Sequence, residues 1–189
     1  MAVAAWTVEF NLKILSFEIE NYRTLEKAVL RFPSSYAALC GANDSGKTNV
    51  VRALRTLTKG EATHAFLSGY DSDDLSIKQD FPKWKDTPVA EKRITLTLTV
   101  EVEQDRDAGF YQFLRKQLSI EQTPAALTLV LALAHGPERK EQSLRVECAG
   151  VVHDGLEAQE VLQRLQTARA ILFYNSTQLD PRFPFPSAA

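Results

Sequence analysis

LCGANDSGKTNVVRAL, residues 39–54, places two glycines, Gly41 and Gly46, five positions apart, then Lys47, Thr48 and an abrupt change to helical spacing. Just before it, YAALC (36–40) is a short, wholly apolar run, which suits a strand buried on both faces of a sheet. After it, Val50, Val51, Ala53, Leu54 and Leu57 recur at helical spacing, with Arg52, Arg55 and Lys59 on the other face. Gly60 is the expected stop. Strand, glycine loop and helix form the setting in which G-x-x-x-x-G-K-[ST] cradles phosphate. The glycines let the backbone turn so that successive N–H groups point inward as a nest. The helix starting at Lys47 adds the positive end of its dipole. Lys47 is then placed to reach β- and γ-phosphates, and Thr48 to offer its hydroxyl to Mg²⁺.

The totals frame that motif. A chain of 189 residues is enough for one domain with a proper core and marginal for two. Its 44% hydrophobic and 24% charged content are ordinary for a globular chain. A net charge of −2 gives no general attraction to nucleic acid or to an acidic membrane, so any basic groove must be local. Cys40 and Cys148 form neither a disulfide framework nor a zinc site, and both are expected to be buried small residues. MAVAAWTVEF has no basic region followed by an apolar one, which argues against a signal peptide. The most apolar stretch, PAALTLVLALA, is too short to span a bilayer and suits a core strand. The expectation is a soluble, cytoplasmic chain.

Further alternations fill in the rest. KILSFEIE puts Leu15, Phe17 and Ile19 on one face and Ser16, Glu18 and Glu20 on the other, a half-buried strand. Asn21-Tyr22-Arg23 interrupts it before a second strand, KAVLRF (27–32), and a turn at Pro33. Residues 61–90 are rich in Asp, Ser, Gly and Pro and predict a long loop. In RITLTLTVEVE, Ile94, Leu96, Leu98, Val100 and Val102 oppose Thr95, Thr97, Thr99, Glu101 and Glu103, the clearest strand in the chain. Such alternation implies one wet face, as in an antiparallel sheet. Phe110, Phe113, Leu114 and Leu118 predict a short helix. Residues 127–134 and 143–150 predict two strands joined by a polar turn. Leu156, Val161, Leu162 and Leu165 predict another helix, and AILFY (170–174) a second buried strand. Three prolines in DPRFPFPSAA end regular structure.

Taken together, ILSFEIENYRTLEKAVLRF and YAALCGANDSGKTNVVRAL resemble the N-terminus of the SMC/RecF-type branch of ABC ATPases. That branch includes the ATPase domains of OLD (overcoming lysogenization defect) nucleases and their phage-defence relatives. Its pattern is a strand, Asn-aromatic-Arg, a second strand, and G-x-N-x-S-G-K-[ST]-N. Here those positions are Asn21, Tyr22, Arg23, Gly41, Asn43, Ser45, Gly46, Lys47, Thr48 and Asn49, with Ala42 and Asp44 completing the loop. The resemblance implies an α/β P-loop NTPase fold, an ABC-type N-terminal lobe. Mixed core strands would hold the loop 41–48, with an antiparallel subdomain from about 93 to 150. The lobe would span residues 1–180, with 181–189 a Pro-rich tail or truncation point. It implies ATP and Mg²⁺ as cofactors and Arg23 near the phosphates. It also implies a Q-loop glutamine that helps ligate Mg²⁺ and the attacking water. Gln178, after AILFY, has that place; Gln104, after RITLTLTVEVE, is its competitor.

Two family parts are not found in the sequence. No apolar run ends in the Asp-Glu pair of a Walker B segment, and no LSGGQ-like signature precedes such a run; the LSG of FLSGYDSDD lies in the early loop. Hydrolysis needs a residue that orients the attacking water as well as a phosphate cradle. The resemblance therefore implies half of a split ATPase, with a C-terminal lobe supplied in cis or in trans. It also implies a dimer through the nucleotide site, and possible DNA and nuclease partners. The alternatives are a non-catalytic nucleotide-binding assembly module and a self-contained P-loop kinase. Asp71, Asp73 and Asp74 lack a leading strand and a partner glutamate, which favours a solvated loop over a nuclease centre. His64, His135 and His153 are scattered among loops without ligand spacing.

Overall fold

The computed structural model describes residues 12–33, 39–40, 46–58, 75–138 and 141–167. Among these residues, six strands pair side by side: β1 Lys13–Tyr22, β2 Leu25–Arg31, β3 Ile94–Glu103, β4 Ala126–His135, β5 Ser143–Cys148 and β6 Val151–His153. They form one sheet in the order β2-β1-β3-β4-β5-β6, antiparallel at every described pairing. The α/β class and the antiparallel sheet are as expected. The N-terminal hairpin, however, is not a separate layer: β1 pairs along β3, and the 93–150 strands continue it.

Alternation decides the layers. Phe17 lies opposite Leu98, Leu98 opposite Leu131, and Leu131 opposite Val146, all on one face and all fully buried. The other face carries Glu18, Thr97, Ala132 and Arg145 in the same row. Helices cover the apolar face. α1 Lys47–Thr58 packs on β1 and β3, α3 Ala108–Gln117 on β3, and α4 Gly155–Thr167 on β5 and against both other helices. Phe110, Tyr111 and Leu114 of α3 are fully buried, and the Tyr111 hydroxyl donates to the Pro124 carbonyl at 2.5 Å.

Several details depart from local periodicity. The β1–β3 register slips by one between Ile14 and Ser16. Leu15 is the extra residue of this bulge, so Ile14, facing Val100, takes the core position expected of Leu15. Arg55 was expected on the wet face of α1 but is buried, because the helix packs on the sheet and on α4 as well. Val51 and Leu156, expected in the apolar stripes, are exposed. Residues 39–40, the described end of the expected strand YAALC, pair with no described strand; 36–38 and the strand expected at 170–174 lie outside the described residues. β6 was not expected. It follows β5 through Ala149 (φ 53°) and Gly150 (φ 78°), both left-handed, as a tight hairpin turn requires. His135 and His153 end β4 and β6 rather than lying in loops.

The expected loop 61–90 is only partly a loop. Residues 75–91 contain a short helix, α2 Ile77–Asp80, and a 3₁₀ turn, Val89–Glu91. Leu75 and Ile77 pack on the core and Phe81 is buried, with the Lys92 ammonium 5.4 Å from its ring centre. Burial of these apolar groups docks the segment beside the β1–β2 turn.

The two thiols differ in a way a labelling reagent reads directly. Cys148 is buried on β5 and its pKa is pushed up to about 11 by burial, whereas Cys40, expected to be buried, is exposed. A thiolate-specific reagent at pH 8 should modify Cys40 in the native chain and Cys148 only after denaturation. Rapid native labelling of both would contradict the packing of β5.

Candidate functional site

The site is built where the β1–β2 hairpin meets the start of α1. Gly46 has φ +86°, a left-handed conformation that side chains rarely adopt. A Cβ there would lie 2.9 Å from Leu25 Cδ2 and 3.3 Å from Thr24 Oγ1, so the Gly46 backbone sits directly against the hairpin tip. The first helical hydrogen bond follows, from the Val50 N–H to the Gly46 carbonyl at 3.0 Å. Asn49 Nδ2 donates to Thr24 Oγ1 at 2.8 Å, a second strut between helix and hairpin. The first turn of α1 contains no acidic residue, so no carboxylate within that turn offsets the positive end of its dipole. Lys47 is partly buried in this turn and Thr48 is exposed. A left-handed glycine, a helix N-terminus, a lysine and a hydroxyl fit a phosphate with its Mg²⁺.

The hairpin tip is itself held. β1 runs through Tyr22, so the turn consists of Arg23 and Thr24, with Tyr22 opposite Leu25. Asn21 (φ 54°) and Arg23 (φ 52°) both adopt left-handed backbone, which asparagine tolerates and arginine does so at a cost. Arg23 Nε donates to Asp80 Oδ1 at 2.8 Å, and its Nη2 lies 2.8 Å from the same oxygen. The Arg23 N–H donates to the Asp80 carbonyl at 2.5 Å. Asp80 is 4% exposed, and its Oδ2 accepts the Ser76 N–H at 3.0 Å. The Arg23 guanidinium also stands 5.6 Å from the Tyr22 ring centre. On the other flank, Lys85 Nζ donates to Asn21 Oδ1 at 2.9 Å and pairs with Glu26 at 3.2 Å. Asn21 Nδ2 donates to the Arg93 carbonyl at 3.0 Å.

Electrostatics agree with that arrangement. Burial works against the Arg23 charge, but Tyr22 and Asp80 outweigh it and hold its pKa above that of a free arginine. Burial raises the Tyr22 hydroxyl above the usual tyrosine range against the pull of Arg23, so this ring stays neutral at physiological pH. His135, at the same end of the sheet, is lowered by burial although Asp80 pulls it upward.

Of the residues singled out in the sequence, Arg23, Gly46, Lys47, Thr48 and Asn49 are brought together around one hairpin tip. Gly41, Ala42, Asn43, Asp44, Ser45 and Gln178 lie outside the described residues, as do Asp71, Asp73 and Asp74. Gln104 follows β3, whose first residues adjoin the hairpin tip. Ten strand residues at roughly 3.3 Å each put it about 30 Å from the start of α1, too far to serve the same phosphates. Its backbone N–H bonds the Ala125 carbonyl in the turn after β3. Asp80 and Lys85 were not anticipated. The signal was Leu75, Ile77 and Phe81, whose apolar side chains dock a segment that otherwise has loop composition.

The structure is an α/β domain in which the helix after the glycine motif packs on an antiparallel sheet, and the family comparison gives its class. Residues 12–147 match the model of the AAA ATPase domain, and the chain belongs to that family. No curated protein matches it. Among solved structures, one described as "Structural biochemistry of ATP-driven dimerization and DNA stimulated activation of SMC ATPases" is similar at 19% identity and TM-score 0.47. That similarity covers 82% of this chain and 78% of the other. The recombination mediator protein RecF bound to ATP is similar at 11% identity and TM-score 0.43, over 78% of this chain but 30% of RecF. No residue role follows from likenesses this distant. No helix of the described residues is long and apolar enough to cross a membrane.

Proposed function

We propose that this chain is the ATP-binding N-terminal lobe of an SMC/RecF-type ATPase, spanning residues 1–180. The observation that carries this reading is the start of α1: left-handed Gly46 fixed against Leu25, followed by Lys47 and Thr48 in a first helical turn that contains no acidic residue. Lys47 would hold the β- and γ-phosphates of ATP, and Thr48 would ligate its Mg²⁺, with Gln178 as a further ligand. The remaining loop residues, 41 to 45, would supply the N–H nest. When bound, MgATP supplies the phosphoryl group and its counter-charge. The chain's own part is to bind and orient that group.

Neither a Walker B pair nor a signature motif is found in the sequence, so the lobe would be completed by a C-terminal lobe in cis or in trans. ATP would then lie between two such units. Coupling to DNA or a nuclease, in repair or anti-phage defence, rests on the motif resemblance to the SMC/RecF and OLD ATPases, and a cytoplasmic location on the sequence reading of the N-terminus and of the most apolar stretch. The test is calorimetric binding of MgATP to the 189-residue chain, beside phosphate release. The expected result is binding without turnover, lost in Lys47→Ala. Lys47-dependent turnover by the chain alone would overturn the split-lobe reading. Absence of binding would overturn the assignment of ATP to this lobe.

A further inference from the structure

The 76–85 segment contributes a buried carboxylate that the phosphate-loop motif does not require. Asp80 sits almost out of solvent, yet its partners come from a residue 57 positions away and from its own short helix. Closing a two-residue hairpin needs no such pair; a glycine-containing turn does so without strain. Here the turn begins instead with an arginine at φ 52°, and the strain is sustained by three contacts from Arg23 to Asp80, two from its side chain and one from its backbone. A buried ion pair is a poor way to gain stability, because desolvation consumes most of the attraction. It is a good way to fix a direction. Arginine carries large rotamer freedom, and a fork clamped at Nε and Nη2 has already lost it.

Location gives the clamp a purpose. Arg23 immediately precedes Thr24, whose hydroxyl is bonded to Asn49 in the first turn of α1. The next residue, Leu25, is the one Gly46 packs against. Any displacement of the Arg23 backbone is therefore transmitted to the start of the phosphate-loop helix. The Arg23 side chain also keeps 30% of its surface in solvent while its partner keeps 5%, so Asp80 secures the guanidinium from the protein side.

We propose that Asp80 is a positioning residue of the nucleotide site: its buried carboxylate presets the Arg23 guanidinium on the hairpin tip whose next residues, Thr24 and Leu25, contact the start of α1, so that it can meet the phosphates of a nucleoside triphosphate. This rests on the ATP-lobe reading above, and Asp80 itself touches no nucleotide. The segment 76–85 is thus part of the site's framework.

The experiment is calorimetric titration of MgATP into the full 189-residue chain and its Lys47→Ala, Asp80→Asn, Arg23→Lys and Asp80→Asn/Arg23→Lys variants, with a melting temperature for each. Asp80→Asn is expected to weaken ATP binding about tenfold, the scale of one charge-assisted hydrogen bond to phosphate. Arg23→Lys, which keeps the charge but not the fork, should lose a similar factor, and the double variant should be no weaker than Arg23→Lys alone. Wild-type affinity in Asp80→Asn, with binding still abolished by Lys47→Ala, would overturn the positioning role and leave the ATP reading standing. A further full loss on top of Arg23→Lys would show a general structural role and overturn it too. Wild-type protein that binds no ATP would remove both. Should Asp80→Asn not fold, Asp80→Glu, whose carboxylate is displaced by one methylene, takes its place with the same outcomes.

Discussion

Gly46→Val is expected to remove ATP binding and to lower stability by about 2–3 kcal/mol, because a β-branched residue is forced to a left-handed φ. Two strains combine there. The backbone stands at φ +86°, and the new Cβ would meet Leu25 Cδ2 at 2.9 Å. The second contact involves the far end of a flexible side chain, so Leu25 can yield; the backbone strain cannot be relieved without moving the carbonyl that accepts from Val50. That movement unseats the first turn of α1, which carries Lys47 and Thr48. The order of severity should be Asn, then Ala, then Val, since asparagine tolerates positive φ best. Leu25→Ala in the Gly46→Val background should restore little. Urea unfolding and MgATP titration of this series decide the matter. Equal stability of the three variants, or full rescue by Leu25→Ala, would show that contact rather than backbone conformation demands glycine.

Leu98→Ala should cost about 3–4 kcal/mol, the range for emptying a well-packed leucine site. Leu98 is fully buried on the central strand, with Phe17 on one side and Leu131 on the other. Neighbours held in a pleated sheet cannot collapse into the space, so a cavity remains. For a chain of this length the melting temperature should fall by roughly 10 °C. Thr97→Ala is the matched control. It projects from the opposite face, opposite Glu18 and Ala132, and should change stability by about 0.5 kcal/mol or less. If the two substitutions cost the same, the assignment of the covered and open faces of the sheet is wrong. Surface ion pairs such as Lys13–Glu101, at 2.7 Å but with side chains 42% and 26% exposed, contribute far less than Leu98.

These two positions also mark what could be read in the chain. Leu98 announces itself, because RITLTLTVEVE alternates without a break and a two-residue period can serve only one face. The glycines and Lys47 announce themselves equally well, since their spacing has a chemical purpose. β6 does not. Val151, Val152 and His153 are too few to establish a period, Val151 and Val152 are exposed, and the turn before them is Ala-Gly rather than a stronger hairpin signal. Leu15 misleads for a different reason: a bulge is a feature of two strands, and the alternation of one strand contains no trace of it.

The sequence by itself determined the α/β class, the faces of the long strands apart from the bulge at Leu15, and the start of α1 at Lys47, all consequences of local spacing. Tertiary structure decided that the N-terminal hairpin and the later strands share one sheet, that Arg55 is buried, and that Asp80 holds Arg23. These depend on which segments meet. Pairing between residues tens of positions apart is settled by the burial of whole faces, a quantity that no local window contains.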